Sequence, residues 1–172
     1  LRFTIKDNDR NVYTNGTNGT IWITRNGTYD INFTCVSYLG NCTINNYNPD
    51  CNSTVGLQYW VGGTTDACYQ PLNISSTFTV YGQLNVSLIY PNSSIILNRD
   101  KATNLNATVQ NDCGNKITDA TLNWYNQSWN WLAGGYNTTW HVPATYPITQ
   151  QTIIYANASK PYYDPNSNST TV

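Results

Sequence analysis

The chain has 172 residues and a formal net charge of −1, with 8 Lys plus Arg set against 9 acids, all of them Asp. Charged residues make up 10 % of it, against about 25 % in an ordinary globular protein, so no basic patch exists to hold nucleic-acid phosphates and mixed charge is not what keeps the surface wet. No apolar run reaches the roughly 18 residues that span a bilayer, and the length suits one large or two small domains.

Helix formers are scarce (no Met, no Glu), whereas Tyr, Thr, Ile, Val and Trp are plentiful and turn residues recur about every 8–12 positions, so the chain reads as all-β, a pair of β-sandwich domains over 1–82 and 83–172. In chain order, Leu1, Phe3 and Ile5 alternate with polar residues as a strand that needs a partner, which makes these three the candidates for subunit contact. The stretch from Asp7 to Asn11 offers oxygens at alternate positions, as a calcium loop does. Its sixth position is Val12 rather than Gly, and no Glu closes the site, so it reads as a β-turn. Ile31, Phe33 and Cys35 alternate with Asn32 and Thr34; residues 39–53 read as an Asn-rich stapled loop, and Leu57 to Val61 as another strand. Phe78, Val80, Gly82, Leu84, Val86 and Leu88 hold one parity across the domain junction, with no flexible Gly/Ser linker. In the second domain Leu84–Tyr90, Leu105–Val109, Leu122–Trp124, Tyr136–Trp140 and Ile154–Ala158 show the period of two expected of sheets with one buried face.

The densest motif is Asn-x-Ser/Thr. Fourteen such triplets begin at Asn15, Asn18, Asn26, Asn32, Asn41, Asn52, Asn73, Asn85, Asn92, Asn106, Asn126, Asn137, Asn157 and Asn168, none with Pro in the middle. Random order of the same composition gives roughly 5. Each is an acceptor for a bulky glycan that must face water. Asn85, Asn106, Asn137 and Asn157 all fall on the parity opposite the apolar residues of their strands, so glycan chemistry and strand period agree. Covalent N-linked glycans are therefore expected, with no other cofactor, on a chain held outside the cell. The start at Leu1, without Met or a signal segment, reads as a processed or excised form.

Five Cys occur. Cys35, Cys42, Cys51 and Cys68 read as two disulfides with three connectivities open, of which Cys35–Cys68 with Cys42–Cys51 nested inside is favoured. Cys113 stands apart and reads as unpaired or bonded to another chain. The spacings contain no Cys-x-x-Cys pair, so a metal site is not expected.

The stretch Gly114-Asn-Lys-Ile-Thr-Asp-Ala-Thr-Leu-Asn-Trp124, then Thr139-Trp140-His-Val-Pro143 and Ile153-Ile-Tyr-Ala-Asn-Ala158, resembles the tandem immunoglobulin-like domains of archaeal and bacterial surface proteins. The resemblance covers about residues 84–172 and implies two immunoglobulin-like sandwiches. Heavy sequon loading on two small β domains is also similar to the subunits of archaeal extracellular filaments such as Sulfolobales threads. That resemblance implies a homopolymer joined by donation of a β-strand between subunits.

Catalytic readings are poor. The one His, His141, falls on the outward parity of its strand, which leaves a Ser-His-Asp arrangement without support. Asp50, Asp66, Asp112 and Asp164 sit at turn-like places, where Asp bonds nearby backbone amides. An enzyme is not expected. Trp124, Trp129, Trp131, Tyr136 and Trp140 are dense enough to suggest a carbohydrate-binding platform. Against that, Trp124 and Trp140 read as core, and Trp129 and Trp131 as the flank of a hairpin. The function expected is a structural filament subunit; an adhesin or sugar-binding module is the alternative, and a glycan-shielded envelope protein the third.

Overall fold

Alternating β-branched and aromatic residues, broken by turn residues, give strands throughout. The computed structural model describes residues 1–70, 72–93, 95–147 and 151–172, and these hold seventeen strands and no helix. Among them, no helix is long and apolar enough to cross a membrane. The chain divides into two units, Leu1–Val80 and Tyr81–Val172, and both are all-β.

Unit 1 contains β1 (Arg2–Thr4), β2 (Lys6–Asp7), β3 (Val12–Tyr13), β4 (Asn18–Thr24), β5 (Tyr29–Val36), β6 (Asn41–Thr43), β7 (Gly56–Thr64) and β8 (Ile74–Val80). Its main sheet is antiparallel in the order β5-β4-β7-β8, with β1-β6 and β2-β3 as small pairs. The sequence expectation missed β4, the central strand. Its burial does not alternate, because Gly19, Thr20, Ile21, Ile23 and Thr24 are all buried, and a strand covered on both faces loses the period-two signal. Phe3, Ile5, Ile21, Ile23, Cys42 and Trp60 form the core. Gln58 is buried but satisfied. It accepts from Thr24 Oγ1 at 2.8 Å and donates to Thr54 O at 2.9 Å.

Unit 2 contains β9 (Gly82–Tyr90), β10 (Ala102–Asn111), β11 (Lys116–Ile117), β12 (Thr121–Asn126), β13 (Trp131–Gly134), β14 (Asn137–His141), β15 (Ile153–Ser159), β16 (Tyr163–Asp164) and β17 (Asn166–Thr171). One layer runs β11-β10-β9-β16, with β14 also on β10; the other runs β13-β12-β15-β17. Leu84, Val86, Leu105, Ala107 and Val109 face Leu122, Trp124, Ile154, Ala156 and Ala158 across the sandwich. Trp124 is fully buried and donates its Nε1–H to Gly135 O at 2.9 Å, which satisfies the one polar atom of the ring.

Candidate functional surface

Asn32, Asn85, Asn106, Asn137 and Asn157 lie on the outward parity of their strands, whereas Asn126 and Asn168 stand in register with the buried Ile154 and Ala156. Ten of the fourteen are exposed; Asn41, Asn106, Asn126 and Asn157 are half-buried, and none is buried. Ser94 of the Asn92 sequon lies outside the described residues. Several of these side chains turn their oxygen toward the backbone. Asn15 Oδ1 accepts the Leu39 N–H. Asn126 Oδ1 accepts from the N–H groups of Ser128 and Asn130, each at 2.9 Å. An N-linked sugar would be joined to the other polar atom of the same amide, its nitrogen. In Asn41, Asn52 and Asn168 the Nδ2 itself donates, to Leu39 O at 3.3 Å, to Asp50 Oδ2 at 3.2 Å and to Val86 O of β9 at 2.8 Å. N-glycosylation leaves one hydrogen on that nitrogen, so such a bond is compatible with a glycan.

The terminal strand, whose Leu1, Phe3 and Ile5 read in the sequence as needing a partner strand and as candidates for subunit contact, finds a partner within its own chain. In this chain β1 pairs with β6, Phe3 opposite Cys42, and Phe3 and Ile5 are 6 % and 7 % exposed. Leu1 is half-buried against the same core, and its N-terminal ammonium donates to Ile44 O at 2.9 Å. The physical reason is a slot cut by two glycines. A Cβ on Gly62 would lie 2.7 Å from Phe3 Cδ1, and one on Gly19 would lie 2.8 Å from Phe3 Cζ. Only bare backbone at both places lets the ring in.

The favoured disulfide pairing is also corrected. Cys35 is bonded to Cys42, with Cα atoms 5.5 Å apart, so neither Cys35–Cys68 nor Cys42–Cys51 forms. After β5 the chain turns sharply through Leu39 (φ 48°) and Gly40 (φ 79°), and the Tyr38–Asn41 bridge sends β6 back beside it. Cys68 is a free, exposed thiol, its backbone N–H bonded to Asp66 Oδ1 at 3.0 Å. Neither Cys51 nor Cys113 is a free thiol. Of the two readings of Cys113, unpaired or bonded to another chain, the unpaired one is thus overturned.

The aromatic residues divide as their parity suggests. Trp124 and Trp140 are core, at 0 % and 7 % exposure, whereas Trp129 and Trp131 stand out at 55 % and 64 %. Trp129 stacks on Tyr155, centroids 4.8 Å apart and planes 15° apart, and leans on Tyr125 at 5.6 Å. Its backbone is left-handed (φ 59°), a conformation non-glycine residues seldom adopt, and it is held there by the Asn126 turn. Sequence reasoning linked Trp129 to Trp131 but missed Tyr125 and Tyr155. The register of β12 with β15, which pairs them directly, is not legible from parity alone.

Charged groups make local contacts. His141 is exposed and lies 3.9 Å from an exposed Asp100. Asp7, Asp50 and Asp66 accept backbone N–H bonds in turns, whereas Asp164 lies in β16. The Asn52 side chain, with smaller help from Arg25, holds the Asp50 carboxyl below its ordinary value. Lys160 does the same for Asp119, donating to it at 2.6 Å. Burial raises the Tyr136 phenol, whose oxygen accepts the Ala120 N–H at 3.1 Å. Among the described residues no three of His, Cys and Asp gather into a metal-binding group.

No family model matches the chain, and no curated protein matches it. Among solved structures it is similar to the fibronectin(III)-like modules of Clostridium thermocellum CbhA, with a TM-score of 0.44 and 11 % identity over 99 % of this chain and 83 % of that one. It is also similar to a tetra-tandem repeat in the extending region of a large adhesion protein, with a TM-score of 0.42 and 16 % identity over 92 % of this chain and 42 % of that one. Both scores are too low for either likeness to bear on what this chain does.

Proposed function

We propose that the chain is a structural subunit of a heavily N-glycosylated extracellular filament, joined by exchange of a β-strand between copies. The observation that carries this reading is the placement of the sequons: fourteen acceptor asparagines spread over both units without one being buried. A coat of glycan supplies the hydration that a 10 % charged surface lacks. The Cys35–Cys42 bond fits an oxidising compartment. The role is structural rather than catalytic, and the principal partner is a second copy of the same chain.

Strand exchange is supported by the slot for Phe3. It accepts a ring from a terminal strand paired to β6 through Arg2–Thr43, Phe3–Cys42 and Thr4–Asn41, with Leu1 and Ile5 bonded to Ile44 and Gly40 at its two ends. The same strand of a neighbouring copy presents the same ring and the same backbone ladder. A head-to-tail exchange of this kind does not close on itself and builds a fibre. Electron microscopy of native material is expected to show helical fibres, and Phe3→Ala should shorten or abolish them while the β circular-dichroism signal persists. Native protein that stays single at every concentration contradicts the reading. An adhesin is the second reading, favoured by the exposed Trp129 and Trp131; specific hits on a glycan array would raise it above the first.

A further inference from the structure

The outer face of the β13-β12-β15-β17 sheet is built in rows. One row is Trp131, Tyr125, Tyr155 and Ser169; the next is Gly134, Asn123, Asn157 and Ser167. No residue of either row is charged. The first row is aromatic over three strands and is backed by Trp129, stacked on Tyr155. The second is made of small residues, with an acceptor asparagine in the middle.

We infer that the glycan on Asn157 is a folded part of unit 2, its first sugars lying on the row formed by Tyr155, Tyr125 and Trp131. This rests on the reading that the chain is N-glycosylated, and goes further by giving one glycan a defined seat. Asn157 and Tyr155 lie two residues apart on one strand and one face, hence about 7 Å apart. Gly134 has no side chain, and Asn123 and Ser167 are short, so the Asn157 row leaves room for a sugar ring. A pyranose ring presents polarised C–H bonds on one face, and an aromatic ring presents a negative face to receive them.

The occupant is the protein's own glycan rather than a free sugar for two reasons. A free ligand needs a concave site with several convergent polar groups, and these two rows form a strand surface whose polar groups are single amides and hydroxyls. A tethered sugar is held at an effective concentration on the order of millimolar, so weak stacking is enough to seat it. Asn85 offers the contrast. It is equally a sequon and exposed on β9, but it stands opposite Gln110 and between Gln83 and Ser87, with no ring on its row.

The test uses the full chain made in its glycosylating host. Glycopeptide mass spectrometry comes first. If all sequons are bare, the glycoprotein reading itself fails; if Asn157 alone is bare, only this inference fails. With Asn157 occupied, Asn157→Gln is expected to lower the melting temperature of unit 2 by about 4 °C and to raise acrylamide quenching of Trp fluorescence about twofold, while Asn85→Gln does neither. In a Tyr125→Ser, Trp129→Ala, Trp131→Ala, Tyr155→Ser background, Asn157→Gln should no longer shift the melting temperature. Equal effects of Asn157→Gln and Asn85→Gln, or an undiminished effect in the ring-free background, would overturn the inference. So would a soluble oligosaccharide that binds the glycosylated wild-type protein and is lost with Trp131→Ala.

Discussion

The two units reach a β core by different means. In unit 2 side chain meets side chain: apolar residues at every second position of β9, β10, β12 and β15 fill a sandwich around Trp124. In unit 1 ring meets backbone. Phe3 lies on Gly19 and Gly62, where a Cβ would come 2.8 Å and 2.7 Å from its ring. Unit 1 also carries the Cys35–Cys42 bond and has fewer buried apolar residues, six against fifteen in the two core clusters. Regular alternation gives a core that leaves the outward face of each strand free to vary. A core seated on glycines is instead tied to one particular strand filling one particular slot.

That contrast sets the expected ranking of damage, with hydrogen exchange read out separately for the two units. Trp124→Ala, which empties the centre of unit 2 and removes the bond to Gly135, should cost about 3–5 kcal/mol and loosen β9, β10, β12 and β15 while unit 1 keeps its protection. Cys35→Ser with Cys42→Ser opens a short loop and should cost about 2–3 kcal/mol on the chain-entropy account, confined to unit 1 and strongest in β5 and β6. Gly62→Ala forces a methyl into the Phe3 ring and should cost about 1–3 kcal/mol. Its signature is loss of protection in β1, and Phe3→Leu should relieve part of it. If Gly62→Ala is silent, the ring-on-backbone account of unit 1 is wrong.

The smallest effect concerns pH. The Asp119 carboxyl is held below its ordinary value, first by the hydrogen bond from Lys160. A carboxylate with a depressed folded value adds stability above its unfolded value, near 3.9, and that contribution disappears as pH falls through the folded value. Asp119 is exposed, so the term is small. Acid titration followed by near-ultraviolet circular dichroism should show Asp119→Asn slightly less stable than wild type above about pH 4 and matching it once pH has fallen through the folded value. A difference that grows toward acid pH would reverse the assignment.

The same contrast explains what was legible in the sequence. Strands β9, β10, β12, β14 and β15 were visible because one face of each is wet, so Asn85, Asn106, Asn137 and Asn157 alternate with Val86, Ala107, Trp140 and Ala158. Strand β4 was not, because both of its faces are covered. The run Ile21-Trp22-Ile23-Thr24, bounded by Gly19 and by Asn26-Gly27, was its available signal. The position of Phe3 could not be read, since a slot made by Gly19 and Gly62 is a property of two strands brought together. Disulfide pairing failed for a related reason: the seven-residue spacing of Cys35 and Cys42 closes only through the turn at Leu39 and Gly40. On the surface, parity set Asn157 on the same face as Tyr155, but it did not reveal that Tyr125 of β12 stands in register beside Tyr155.

The central claim is that the outward rows of both units are wetted by attached sugar. Site-resolved glycopeptide mass spectrometry of protein taken from its native source tests it most directly. Glycan is predicted on asparagines of both sandwich layers of unit 2, Asn85 and Asn137 on one and Asn157 on the other, and on Asn32 and Asn73 of unit 1. Unmodified asparagine at all five positions would contradict it.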